Sequence, residues 1–141
     1  MQLFPKKVKF RKWHTFRTHP EKVGVEPRGS RLAFGSYGLK AMSAHRVRSN
    51  QIEASRKILA RAVSKSGKIW IRVFADMPYT QKPAEVKMGK GKGDPQGYQI
   101  QVRPGRIIFE IDGVTDAEAR EAMRKAGTKL PLKTKVVSRK G

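Results

Sequence analysis

The 141-residue chain contains no cysteine. That excludes a disulfide framework, a thiolate metal site and a cysteine nucleophile. Long apolar runs are missing too: the longest span three residues, as in Leu32-Ala33-Phe34 and Ile107-Ile108-Phe109. No segment therefore has the length of a transmembrane helix or a secretory h-region. Acids are scarce, 11 against 32 Lys and Arg. The three histidines, His14, His19 and His45, have neither metal-ligand spacing nor acidic companions of the HExxH kind. No nucleophile-elbow pattern occurs, and the roles an active site requires stay unfilled. The expectation is no catalytic residue, no metal, no cofactor, no small-molecule substrate and no membrane partner.

What is abundant is positive charge, a formal net of +21. So large a surplus repels itself in a compact chain unless a polyanion neutralises it, and nucleic acid is the commonest polyanion. Five of the acids, Glu110, Asp112, Asp116, Glu118 and Glu121, crowd into twelve residues. A polyanion avoids such a stretch, so 110–121 is expected to face solvent.

Residues 1–31 read as a basic arm broken by Pro5, Pro20, Gly24, Pro27 and Gly29. Phe4, Phe10, Trp13 and Phe16 interleave with Lys6, Lys7, Lys9, Arg11, Lys12 and Arg17. The basic side chains suit RNA phosphates. The rings suit either base stacking or packing on the domain body. The arm's acid-free first twenty residues also mimic a mitochondrial transit peptide, but Pro5 and the lack of serine argue against that.

Residues 32–141 read as a single α+β domain. LAFGSYGLKAM (32–42) predicts a short strand with a bulge or close backbone approach at Gly35 and Gly38. A helix then starts with Asn50 as cap and Glu53 completing a capping box, and runs to Gly67. Ile52, Leu59, Ala62 and Val63 form its core stripe. Arg48, Arg56, Lys57, Arg61 and Lys65 load its exterior. KIWIRVFA (68–75) predicts a strand covered on both faces. Residues 98–103 and 106–112 alternate, with Ile107, Phe109 and Ile111 on one face, and the intervening Pro104-Gly105 predicts a β-hairpin. A second helix follows, capped by Thr115 and Glu118, with Ala119, Ala122, Met123 and Ala126 inward. Gly127 and Pro131 stop it, and 132–138 make a last strand. Two helices on a mainly antiparallel or mixed sheet result.

Residues 76–97 form a loop too long to be incidental, with short extended pieces allowed near 79–87. Its tip, Lys87-Met88-Gly89-Lys90-Gly91-Lys92-Gly93, alternates lysine with glycine, a thin positive probe for a crevice in folded RNA. It is neither a Walker A loop, which needs Ser or Thr after the Lys, nor a dinucleotide loop, since Asp94 stands where a third Gly belongs.

PKKVKFRKWH, LAFGSYGLKA, NQIEASRK, GKIWIRVF, MGKGKG, PGRIIFEIDGV, AEAREAMRKA and KLPLKTKVV together cover nearly the whole chain. In these segments it closely resembles the bacterial-type members of the universal L-sixteen/L-ten-e family of large-subunit ribosomal proteins. The resemblance implies an α/β-hammerhead-like fold and a cytoplasmic, ribosomal location of bacterial or organellar type. It implies a structural role in the large subunit among rRNA, tRNA and neighbouring ribosomal proteins. The rRNA contacts implied are Lys6, Lys7, Lys9, Arg11, Lys12, Trp13, His14, Arg17, Arg48, Arg61, Lys65 and the loop Lys87, Met88, Gly89, Lys90, Gly91, Lys92 and Gly93. By position, Arg56 and Lys57 would meet tRNA in the aminoacyl site, with the peptidyl site a further candidate. Lys87 stands where the family commonly has arginine, which removes that residue's bidentate and stacking contacts. Gln99 stands where tryptophan often follows Tyr98, weakening a stacking role there. The alternative that composition alone permits is a free-standing nucleic-acid chaperone.

Overall fold

The computed structural model describes residues 5, 25–63, 67–80 and 95–139. Its elements run β1 (Tyr37–Ala41), β2 (His45–Arg48), α1 (Ser49–Ala62), β3 (Lys68–Ile71), β4 (Met77–Thr80), β5 (Pro95–Val102), β6 (Ile107–Asp112), α2 (Asp116–Gly127) and β7 (Thr134–Ser138). The strands form two antiparallel sheets, one of order β3-β6-β1-β7 and one of order β2-β5-β4. The α+β class expected from the sequence is the one observed.

The expected hairpin is not. Pro104-Gly105 does make a tight turn, with Arg106 N–H donating to Arg103 O at 3.2 Å and Gly105 at φ +99°, as a type II turn requires. The strands on either side do not pair with each other. β5 is the centre of the three-stranded sheet and β6 lies in the four-stranded one. Ala41, the end of β1, captures the turn: Gly105 N–H donates to its carbonyl at 2.7 Å, and its own N–H donates to Arg106 O at 2.8 Å. Long-range pairing thus overrides the local hairpin code.

The glycine-rich first strand behaves as expected. A register shift between Leu39 and Lys40 bulges the β1·β6 ladder. A Cβ on Gly35 would stand 2.6 Å from Ile111 O, and one on Gly38 2.4 Å from Leu32 Cδ2. The same bulge upsets the alternation in β6: Ile108 joins Phe109 and Ile111 in the core cluster, while Ile107 is buried apart from it.

α1 begins one residue before the expected cap. Arg48 is the N-cap, and Gln51 reaches back to accept its N–H at 2.9 Å. Asn50 and Glu53 lie within the helix, not at its cap. The helix ends at Ala62, with Val63 already extended (φ −86°, ψ 121°), so Gly67 does not terminate it. Gly67 instead lets the chain pass close to Val63, whose Cγ1 would be 2.0 Å from an added Cβ. The buried stripe is Ile52, Ser55 and Leu59, and Ala62 is exposed, because four-residue steps from Ser55 reach Leu59 and bypass it. Ser55 Oγ donates to Ala126 O at 3.0 Å, fastening α1 to the last turn of α2.

α2 matches its reading. Thr115 Oγ1 accepts from Glu118 N–H, and Glu118 returns the bond to Thr115 N–H, each at 3.3 Å. Ala119, Ala122, Met123 and Ala126 are buried against the four-stranded sheet. Gly127 is the last helical residue, where a Cβ would meet Thr134 Oγ1 at 2.4 Å.

β3 is shorter than predicted and its continuation is not covered on both sides. Val73 and Ala75 are buried, but Phe74 is 45% exposed. The long loop is narrower than 76–97, because β4 and the start of β5 occupy its ends. Residues 81–94, which hold the Gly/Lys tip, lie outside the described residues, as does nearly all of the arm through residue 24.

Candidate nucleic-acid interface

The register of the three-stranded sheet sorts its side chains. Val47 faces Ile100 and Pro78 faces Tyr98, and these with Val102 take the inner side. Arg46 faces Gln101, Gln99 lies between Arg48 and Met77, and Tyr79 faces Gly97, so all of these share the outer side. Two residues beyond Gln101, Arg103 is exposed and continues that row. Gly97 is small because the Tyr79 ring lies over it, with ring atoms 3.0–3.2 Å from a would-be Cβ. The Arg48 guanidinium caps the same ring at 4.6 Å from its centroid. Gln99 is only 7% exposed, so this position is part of the packed floor. No Asp or Glu occupies this row of positions. The result is a flat face of cations and amides around one aromatic ring, the chemistry that meets phosphates and bases.

Arg48 is thus placed on this face, and Arg46, Tyr79 and Arg103 join it although the sequence reading passed over them. The HRVR alternation at 45–48 carried the signal for Arg46. Arg56 and Lys57 sit mid-way along α1 and Arg61 in its last turn, with Lys57 and Arg61 exposed four residues apart. Arg56 is clamped by Glu53, its Nε donating to Oε2 at 2.8 Å and its Nη2 to Oε1. That bond is the main reason the Glu53 carboxyl is held below, and the Arg56 guanidinium above, its ordinary range. The clamp engages two of the guanidinium's three nitrogens. Lys6, Lys7, Lys9, Arg11, Lys12, Trp13, His14, Arg17, Lys65 and residues 87–93 lie outside the described residues.

The acidic stretch splits in a way its composition does not show. Asp116, Glu118 and Glu121 are exposed on α2 as expected. Asp116 pairs with Arg120 at 3.1 Å, and Glu121 with Arg124 at 2.8 Å and Lys125 at 3.7 Å. Glu110, in contrast, is fully buried. Its Oε1 accepts the N–H groups of Ala33, Phe34 and Gly35 at 3.0, 2.9 and 2.9 Å, and its Oε2 accepts Arg72 Nη1 at 2.8 Å. Burial pushes this carboxyl up, but the Gly35, Phe34 and Ala33 amides and the Arg72 guanidinium outweigh it and hold it below the usual range. Arg72 Nη1 also donates to Arg31 O at 2.7 Å. Glu110 is therefore not a solvated acid. It straps the segment after the arm onto the outer face of the four-stranded sheet.

Among the described residues no three or more His, Asp or Glu gather as metal ligands, and no helix is long and apolar enough to cross a membrane. A cleft of about 460 Å³ between the sheets is floored by Ile52, Ile71, Val73 and Ile100 and rimmed by Ser49, Arg72, Asp76 and Arg106, with no nucleophile–base pair.

The family model for ribosomal protein L16p/L10e matches residues 5–137. "Large ribosomal subunit protein uL16" of Afipia carboxidovorans is 53% identical over 96% of both chains. The proteins of that name from Nitrobacter winogradskyi and Rhodopseudomonas palustris (strain BisB5) are 52% and 53% identical over the same shares. A chain matched so nearly end to end belongs to the ribosomal protein L16p/L10e family in its bacterial form, structural ribosomal proteins and not enzymes.

Proposed function

We propose that this constituent of the large ribosomal subunit binds the subunit's rRNA through its arm, its Gly/Lys loop and the outer face of its three-stranded sheet. The observation that carries the reading is that face: Arg46, Arg48 and Arg103 around Tyr79, with no acid in the row. Lysine and arginine there neutralise phosphates, lowering the repulsion between converging RNA helices and fixing their geometry. The loop Lys87–Gly93 fills a crevice in that RNA. Arg56 and Lys57 meet tRNA in the aminoacyl site, and the Glu53 clamp supports this role by holding the guanidinium in one orientation beside the exposed Lys57.

Photo-crosslinkers placed at Arg48, Arg56 and Lys90 in assembled subunits test the reading. Arg48 and Lys90 should capture rRNA, and Arg56 should capture tRNA in particles programmed with it. Capture of neither RNA from any of the three would overturn it.

A further inference from the structure

Phe34 is the most exposed aromatic side chain among the described residues, at 57%. Scattered surface apolar residues are ordinary, but this one is built in. Its N–H is the middle one of the three held by Glu110, so its backbone cannot withdraw the ring. The ring stacks on Trp70, centroids 5.9 Å apart and planes 17° from parallel, and the Arg72 guanidinium lies 5.6 Å from its centroid. Arg72 is itself fixed by Glu110 and Arg31 O, so it supports the ring and is not the spare cation of this patch. Exposed cations flank the stack instead: Arg31 three residues before Phe34, and Lys68 two residues before Trp70 on the same side of β3.

A near-parallel pair of rings, the outer one 57% exposed, has the shape of the end of a base stack. With cations beside it, the matching ligand is a flat heterocycle carrying phosphate. We infer that Phe34, backed by Trp70, is a stacking platform for one unpaired nucleobase of RNA, whose phosphate meets Arg31 or Lys68. This rests on the RNA-binding reading above and adds to it a base-contacting site on the other sheet. Glu110 acts here as a positioning residue, holding the platform before RNA arrives.

Affinities are measured on the unsubstituted chain, and emission on the chain with Trp13→Phe, which leaves Trp70 as its only tryptophan. Two RNA hairpins serve as probes, alike except that one carries a single unpaired 2-aminopurine. The bulged hairpin should bind about tenfold more tightly than the paired one. Its 2-aminopurine emission and the Trp70 emission should both fall on binding. Phe34→Leu should abolish the preference and the quenching, leaving affinity for the paired hairpin and its salt dependence unchanged. Phe34→Trp should restore the preference. An undiminished preference in Phe34→Leu overturns the platform, while failure of the unsubstituted chain to bind either hairpin overturns the RNA-binding reading itself.

Discussion

Arg72, one residue past the end of β3, and the buried Glu110 of β6 form an ion pair at 2.8 Å, and the carboxylate's other oxygen gathers three successive backbone N–H groups from 33–35. Four donors, one of them charged, meet the carboxylate, and such partnering is the condition under which a buried carboxylate is tolerable. Glu110→Gln keeps the shape but leaves Arg72 without its counter-charge and puts an NH2 group among donors. It should destabilise the fold by about 3 kcal/mol, read as a lowered denaturant midpoint with unchanged slope. An unaltered midpoint would mean that the pair contributes nothing.

The same carboxylate sets an acid limit. Its folded-state pKa is depressed, so the unfolded chain binds the proton more tightly. The stabilisation is fully present above the unfolded carboxyl range, about pH 4.5, and is lost as pH falls through the lower folded value. The stability gap between the parent chain and Glu110→Gln should therefore be constant near neutrality and shrink below about pH 4.5. Urea titrations of both chains at a series of pH values measure it.

Gly35 and Gly38 should differ in their tolerance of alanine. A Cβ at Gly35 meets the backbone carbonyl of Ile111, which cannot yield without distorting β6. At Gly38 the nearest atom is the tip of Leu32, a flexible side chain. Gly35→Ala should cost about 2–3 kcal/mol and Gly38→Ala clearly less. Thermal unfolding of the two variants side by side decides it, and the reverse order would contradict the geometry.

Arg48 and Arg103 are assigned to phosphate contact. Replacing either by glutamine should reduce the slope of log affinity against log salt for RNA by roughly 0.7–0.9, with the unfolding midpoint of Arg103→Gln unchanged. Loss of affinity with the slope preserved would point to a role other than neutralising phosphates.

How much of this was legible in advance depends on the range of the interactions involved. α2 could be read because its determinants are local: Thr115 and Glu118 cap each other, and the small residues of its stripe recur within one helix. The Pro104-Gly105 turn could be read as a turn, but not the partners of its strands, which Ala41 selects from more than sixty positions away. Glu110 looked like one more solvated acid because its partners, 33–35 and Arg72, are distant in sequence and no local pattern announces them. On the candidate interface, Arg48 was legible from the basic helix start. Tyr79 was hidden in a segment that reads as loop, since a four-residue edge strand containing Pro78 leaves almost no periodic signal.

The corner at Pro104-Gly105 has a mechanical consequence. One tight turn finishes the cation-bearing sheet and begins the helix-backed one, and two hydrogen bonds bolt it to the end of β1. The turn works as a bracket: it fixes the tilt between the plane proposed to meet nucleic acid and the layer that carries α2. Lengthening it by a single residue would swing one plane against the other and misalign surfaces whose own side chains had not been touched.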